Sequence, residues 1–112
     1  LSSGQMHPSV DLVETDRQIV VEAEIPGMEK KDIQVSLSGR QLTLSGEKSH
    51  EEKEIRRGHH LMERAWGAFH RVLELPADVD PSRVNATYKN GVLKVTLQKT
   101  KEHQGRAIKI EG

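Results

Sequence analysis

The sequence predicts an all-β fold: an antiparallel, immunoglobulin-like β-sandwich of seven to eight short strands with a protruding loop strand. Three observations support this prediction. Short stretches of alternating apolar and polar residues recur along the chain, no long stretch carries the 3.6-residue period of a helix, and turn signals separate the alternating stretches. The strongest turn signal is Asn90-Gly91, because a type I′ turn needs positive φ at both central residues.

The composition fits one compact domain with an aliphatic core. The 112 residues include one Phe, one Trp and one Tyr, so Val, Ile and Leu must fill the interior. Basic and acidic residues number 17 each, so no net charge attracts nucleic acid or an anionic membrane. Cysteine is absent, which excludes disulfides and thiolate chemistry, and no apolar run is long enough to span a membrane. We therefore expect a cytoplasmic protein that has no membrane span and no nucleic-acid partner.

The first part of the chain is predicted to form a series of short strands. Residues 1–8 are expected to be a residual N-terminal arm, without fixed structure. Pro26-Gly27 predicts a type II turn, and residues 29–32 predict at most one helical turn. Alternation predicts strands over residues 9–13, 17–25, 33–38 and 41–45.

The middle of the chain interrupts this pattern. Residues 46–57 are almost entirely polar, and a charge run of this kind is usually a solvated loop. The gap before the next alternating stretch exceeds, however, the roughly 12–15 residues expected of a structureless connection. Residues 60–64 are therefore a candidate for an extra strand on an arm, with Trp66-Gly67 turning the chain back.

A strand predicted over residues 68–75 carries a charged residue on its apolar face. Arg71 lies on the same face as Phe69 and Leu73. An arginine in this position must find a carboxylate or reach water, so we predict a buried or interface ion pair, the alternative being an arginine at the rim of the sandwich. Asp80 and Pro81 predict an N-cap and a single helical turn over 81–83.

The last hairpin is centred on Asn90-Gly91. Before the turn, Val84, Ala86 and Tyr88 share one face, and after it apolar residues alternate with polar ones up to residue 99. A polar tether follows, and Ile108-Lys109-Ile110 comes after the predicted strands have ended. Ile108 and Ile110 could dock on another surface, or form a last strand of their own domain.

No motif predicts catalysis, a metal or a cofactor. Gly46-Glu47-Lys48-Ser49 lacks the glycine before lysine that a phosphate-binding loop requires. His50 and His60 lack a second histidine at zinc-motif spacing, because Glu54 and Arg64 occupy those positions. We therefore expect a protein that is not an enzyme.

Four motifs agree with a single family. They are Ala86 with Gly91-Val92-Leu93, Ile25-Pro26-Gly27 followed by Asp32-Ile33, Phe69-His70-Arg71 followed by Leu73, Leu75 and Pro76, and Ile108-x-Ile110. Together they resemble the α-crystallin domain of small heat shock proteins, in the bacterial and plant form with a long exchange loop. The resemblance divides the chain into an α-crystallin domain over 9–99 and a C-terminal extension over 100–112.

The resemblance implies an ATP-independent holding chaperone that binds partly unfolded client proteins under stress and prevents their aggregation. It implies a homodimer in which the loop strand joins the partner's sheet, and a higher homo-oligomer held by the C-terminal tails. The exchange strand and its interface are expected to comprise Leu61, Met62, Glu63, Val10, Leu12 and Arg71. The I-x-I residues Ile108 and Ile110 are expected to enter a groove on a neighbouring subunit, formed by Ile33, Val35, Leu37, Val84, Ala86 and Tyr88.

One alternative comes from a different functional class. The chain could be a CS-domain-like co-chaperone, or another interaction module that docks a single dedicated partner. The loop, the tail and the Gly-Val-Leu hairpin weigh against this alternative, and a monomer at high concentration would favour it.

Overall fold

The chain folds into two four-stranded sheets. The computed structural model describes residues 2–56, 59–105 and 108–112, with side chains described over 5–48, 67–105 and 108–112. The strands are β1 (Ser2–Gln5), β2 (Val10–Glu14), β3 (Gln18–Glu24), β4 (Ile33–Ser38), β5 (Gln41–Arg56), β6 (His59–Glu74), β7 (Val79–Lys89) and β8 (Val92–Lys99). One sheet has the order β1-β6-β5-β4, and the other β2-β3-β8-β7. The pairing of β1 with β6 is parallel, and the other strand pairs are antiparallel.

The core lies between the sheets and is mainly aliphatic. β3, β5 and β8 each contribute alternate residues, as the period of two requires. Phe69 is the buried aromatic side chain of the described residues. The side chains with no exposed surface are Ile19, Val21, Ala23, Ile25, Leu42, Leu44, Val95 and Leu97. This arrangement confirms the predicted all-β sandwich with an aliphatic core.

The middle of the chain is a long hairpin rather than a loop that carries a separate strand. β5 and β6 pair continuously from Gln41↔Glu74 to Arg56↔His59. The interpretation of residues 46–57 as a solvated loop is therefore wrong over 46–56, and residue 57 lies outside the described residues. The predicted turn at Trp66-Gly67 is also wrong, because both residues lie within β6. The backbone ladder holds these strands together, and it needs no alternation of apolar side chains to form.

The long hairpin projects well beyond the sandwich. β5 has 16 residues, of which only Gln41 to Gly46 pair with β4. A strand of that length spans about 53 Å at the usual rise per residue, and the molecule measures 89 × 22 × 19 Å along its principal axes. The predicted protrusion is present, although it is built from two strands of the same chain.

Two shorter segments also differ from the predictions. Ser2–Gln5 forms β1, where an arm without fixed structure was expected over residues 1–8. The predicted helical turn over 81–83 is part of β7, which is irregular between Val79 and Val84. There the carboxylate of Asp80 accepts hydrogen bonds from the backbone N–H of Ser82 (3.0 Å) and from its hydroxyl (2.7 Å). Asp80 thus satisfies a nearby backbone donor as an N-cap does, without a helix following it.

Candidate functional site

An apolar groove opens between the edge strands of the two sheets. β4 ends one sheet and β7 ends the other, so these strands face each other without a ladder between them. The groove has a volume of about 190 Å³. Its lining residues are Lys30, Ile33, Val35, Ala86, Thr87, Tyr88 and Leu93.

The structure brings together most of the residues predicted to form a docking groove. Ile33, Val35, Ala86 and Tyr88 line it. Leu37 and Val84 are half-buried against the core and do not reach the lining.

Sequence reasoning missed three lining residues. Leu93 faces the groove because it pairs with Tyr88 across the hairpin, which the Asn90-Gly91 turn could have shown. Lys30 lies in the predicted helical turn before β4, the 3₁₀ turn Lys30–Asp32, and no local pattern indicated that it lies beside the groove. Thr87 lies between two predicted lining residues.

Two turns packed together support the wall of the groove. Asn90 and Gly91 have φ values of 52° and 77°, as the predicted hairpin turn requires. The carbonyl of Gly91 accepts a hydrogen bond from the Ile25 N–H at 2.7 Å, which joins this turn to Pro26-Gly27. The hydroxyl of Tyr88 lies 2.6 Å from the carbonyl oxygen of Ile25 and 2.8 Å from that of Met28. Tyr88 thus both lines the groove and fixes the turn beside it.

Replacing Tyr88 by phenylalanine tests this support. Tyr88→Phe keeps the ring in the groove but removes the one hydroxyl hydrogen that the two carbonyl oxygens share. We expect the free energy of unfolding to fall by about 1–2 kcal/mol, measured by urea denaturation. The control is Thr87→Val, which removes an exposed neighbouring hydroxyl for which the structure describes no hydrogen bond. Equal stability of Tyr88→Phe and the original chain would contradict the assigned role.

The tail with the two isoleucines does not pack on its own domain. Ile108 is 85% exposed and Ile110 is 92% exposed. Residues 108–112 form no strand, so the structure does not support the alternative in which Ile108 and Ile110 form a last strand of their own domain. Both apolar side chains are available to a partner surface.

The root of the tail is held against the sandwich. The Thr100 N–H donates to the carbonyl of Asp78 at 3.0 Å, and the Gly105 N–H donates to that of Asp16 at 3.3 Å. Lys99, whose side chain is buried, forms a 2.6 Å ion pair with Glu14 at the end of β2. These contacts fix the point from which the two isoleucines leave the domain.

A charged cluster holds the same root. Arg40 donates from Nε to the carboxylate of Asp78 at 2.8 Å, and Nδ1 of His103 lies 3.2 Å from the backbone nitrogen of Asp78. The hydrogen bond from Arg40 lowers the pKa of Asp78, with the positive charges of Arg40 and of any protonated His103 acting in the same direction. Asp78 thus links the turn after β4 to the base of the tail.

This cluster predicts a pH dependence of stability. Because the pKa of Asp78 is lowered in the folded chain, folding favours the carboxylate. Its contribution is therefore present above the unfolded pKa of an aspartate, about 4, and is lost as the pH falls through the lower folded value. Asp78→Asn should be less stable than the original chain at neutral pH, and the difference should shrink in acid.

Urea unfolding followed by circular dichroism, from about pH 7 down to about pH 3, measures this difference. The matched control is Asp11→Asn, at an exposed aspartate for which the structure describes no ion pair. A stability difference that stays constant with pH would show that Asp78 acts only as a neutral hydrogen-bonding group.

The residues predicted to form a dimer interface lie at strand edges. Leu61, Met62 and Glu63 belong to β6, but their side chains fall outside the described part of the chain. One edge of β6 pairs with β5, and the other pairs with β1 only at residues 65–68. In the described structure, the second edge of β6 over 59–64 therefore has no strand beside it.

The proposed receiving strand is also an edge. β2 ends its sheet, with Val10 half-buried against the core and Leu12 38% exposed. Nearby, Nη1 of Arg71 donates to the carbonyl of Pro8 at 3.3 Å. The predicted ion pair of Arg71 is not found among the described residues, and its role at a dimer contact stays a prediction.

Within the part of the chain that the structure describes, no group of three or more His, Asp or Glu side chains is placed to hold a metal ion. No helix in that part of the chain is long and apolar enough to cross a membrane. Two open strand edges, an apolar groove and an exposed apolar tail are features of a protein-binding domain.

Comparison with known proteins gives the family. The chain belongs to the Hsp20/alpha crystallin family, whose model matches residues 11–111. It is 34% identical over 105 residues to small heat shock protein C2 of Rickettsia felis, and 37% identical over 103 residues to spore protein SP21 of Stigmatella aurantiaca. It is 39% identical over 103 residues to heat shock protein 16 of Schizosaccharomyces pombe. These matches cover 94%, 92% and 90% of the chain, and 68%, 61% and 72% of the respective relatives.

Solved structures agree with the fold. Heat shock protein 16.0 from Schizosaccharomyces pombe matches with a TM-score of 0.72 and 35% identity, over 95% of this chain and 99% of that one. A small heat-shock protein from Xylella fastidiosa, described as having a distinct high order structure, matches with a TM-score of 0.68 and 30% identity, over 97% of this chain and all of that one. The predicted resemblance to the α-crystallin domain is confirmed.

Proposed function

We propose that this chain is the core of an ATP-independent holding chaperone, which binds partly unfolded proteins and prevents their aggregation under stress. The observation that carries the proposal is the open apolar groove between β4 and β7 in a member of this family. The comparisons give no support to the co-chaperone alternative. The expected cytoplasmic location is part of the same proposal.

The subunits pair by exchange of strand edges. Residues 61–63 of β6 from one copy add to β2 of the other, next to Val10 and Leu12. Two observations support this step: the open edge of β6 over 59–64 and the open edge of β2. Pairing satisfies the backbone groups of both edges, which otherwise remain templates for uncontrolled aggregation.

The dimers then assemble through their tails. Ile108 and Ile110 of one subunit enter the groove lined by Ile33, Val35, Ala86 and Tyr88 on another. Burial of each isoleucine contributes about 1.5–3 kcal/mol before the cost of ordering the tail is subtracted. A single tail therefore binds weakly and reversibly, and several tails in one assembly strengthen one another through effective concentration. The high order structure named for the Xylella fastidiosa relative supports this step.

A thermal aggregation assay tests the proposed function. A heat-labile client such as citrate synthase is warmed with increasing amounts of the chain, without nucleotide, and light scattering is followed. We expect scattering to fall in proportion to the chain added and to be unaffected by ATP. Unchanged scattering at up to about a ten-fold excess of chain that circular dichroism shows to be folded would refute the proposal.

Analytical ultracentrifugation of the same sample tests the dimer, since a monomer at high concentration would favour the co-chaperone alternative.

A further inference from the structure

The lining of the groove carries a positive charge at one end. The lining is apolar or neutral except for Lys30, which is exposed at the rim. In the described structure the ammonium of Lys30 has no ion pair or hydrogen bond. Neighbouring charged groups are engaged, because Glu29 pairs with Lys31 at 3.5 Å and the carboxylate of Asp32 accepts the Glu29 N–H at 2.9 Å. Lys30 therefore offers a positive charge at the groove with no local partner.

Lys30 marks one particular end of the groove. It lies three residues before Ile33, and the Tyr88 hydroxyl reaches back to Met28 at 2.8 Å. Ile33 and Tyr88 are therefore at the Lys30 end. Val35 and Ala86 lie further from Lys30, each two residues along its strand from Ile33 and Tyr88. The ladder with β8 reflects this spacing, because Tyr88 pairs with Leu93 and Ala86 pairs with Val95.

The tail also carries different charges on the two sides of its isoleucines. An extended chain places Ile108 and Ile110 about 6.6 Å apart on one side, the spacing that Ile33 and Val35 also have. Glu111 follows Ile110 directly, and Arg106 precedes Ile108 by two positions. A tail in the groove thus brings a negative charge to one end and a positive charge to the other.

We propose that Lys30 sets the direction in which the tail of a second copy docks. Ile110 occupies the Ile33–Tyr88 end with Glu111 beside Lys30 at the solvent-exposed rim, and Ile108 lies toward Val35 and Ala86. The opposite direction brings Arg106 toward Lys30 instead, which is unfavourable. This inference rests on the tail docking in the proposed function and specifies its polarity.

The occupant is the tail of a second copy because the chain's own tail cannot reach its own groove. Gly105 is held at Asp16, between β2 and β3. Three residues from Gly105 to Ile108 span at most about 11 Å. β7, which forms one wall of the groove, lies two strands from β3, a distance of about 10 Å across the sheet. Measured along the strands, Ala86 is also about 10 Å from the level of Gln18. The two distances together exceed the span of the three residues.

A charge-swap experiment tests the pair. The acceptor is the 112-residue chain with Ile108→Gly and Ile110→Gly, so that its own tails do not compete. The probe is a fluorescent peptide of residues 104–112 with an amidated end, and binding is measured by anisotropy. We expect Lys30→Glu in the acceptor, or Glu111→Lys in the peptide, to weaken binding about two- to ten-fold, since exposed ion pairs contribute modestly.

The two changes together should restore binding, and high salt should remove the differences between variants. Lys94→Glu is the matched control: it makes the same charge change on the outer face of β8, between the buried Leu93 and Val95, and should leave binding unchanged. Lys30→Gln repeats the test if Lys30→Glu does not fold.

A second measurement reads the direction itself. The chain has no cysteine, so a nitroxide can be placed on a cysteine added only at the N-terminal end of the peptide. We expect it to broaden the amide NMR signals near Leu37 and Val84 more than those near Ile33. The reverse broadening pattern would overturn the inference while leaving tail docking intact. The same conclusion would follow if Lys30→Glu and Glu111→Lys together weakened binding by the sum of their separate effects instead of restoring it. A peptide that does not bind the acceptor at all would overturn both the inference and the docking step of the proposed function.

Discussion

Replacing Ile108 and Ile110 together by glycine is expected to reduce the assembly to dimers without changing the fold. Both side chains are almost fully exposed and contribute nothing to the core of their own domain. Their removal takes away about 3–6 kcal/mol of apolar burial per docked tail, before ordering costs are counted. Size-exclusion chromatography with light scattering measures the mass, and thermal unfolding checks that the domain is intact.

The control for this experiment is Lys109→Gly, which adds the backbone freedom of one glycine between the two isoleucines without removing either apolar side chain. It should retain most of the larger assembly. Loss of the fold in the double variant would contradict the exposed tail and support the alternative of a last strand on its own domain. Unchanged mass would show that assembly uses another surface, leaving the aggregation assay as the independent test of chaperone activity.

The walls of the groove were predictable because alternation decides which face of a strand is buried. Ile33 and Val35 alternate with polar residues on β4, and Ala86 and Tyr88 do so on β7. Asn90-Gly91 fixed the pairing of β7 with β8, so one local signal set the register of one wall. The family resemblance then supplied the expectation that these two faces meet at a groove.

Lys30 shows what such patterns leave out. Its place at the rim depends on how the 3₁₀ turn before β4 packs beside Tyr88, which is a contact between residues far apart in the sequence. The same limit applies to β1, because a parallel pairing with β6 joins segments separated by about sixty residues. No local spacing reports contacts of this kind.

The long hairpin illustrates a different limit. Alternation locates a strand only where one face is buried and the other is solvated. Residues 46–57 are almost entirely polar, so the sequence offered no alternating apolar face to recognise, although the backbone ladder over residues 46–56 forms without one. The gap between the strands predicted over 41–45 and 68–75 was too long for a structureless connection, and this length correctly indicated an arm. It did not indicate that the arm consists of two paired strands.

Gly46 stands where this hairpin leaves the sandwich, and replacing it by alanine should destabilise the fold. Gly46 pairs with Phe69 on β6. A Cβ at Gly46 would overlap Cε1 of Phe69 and would lie 2.9 Å from the sulfur of Met28, both residues being buried. Phe69 is packed in the core, and overpacking of a core side chain costs about 1–3 kcal/mol.

Gly67→Ala is the matched control, since Gly67 is a second glycine of the same hairpin. A Cβ there would lie 3.2 Å from the sulfur of Met6, a flexible and half-buried side chain that can move aside. Urea unfolding should therefore show a clear loss of stability for Gly46→Ala and a small change for Gly67→Ala. Equal effects would mean that the cost arises from the strand backbone rather than from the Phe69–Met28 contact. A selective effect at Gly46 would show that Phe69 and Met28 pack too closely over this glycine to admit a Cβ, at the point where the hairpin that carries the proposed dimer edge leaves the core.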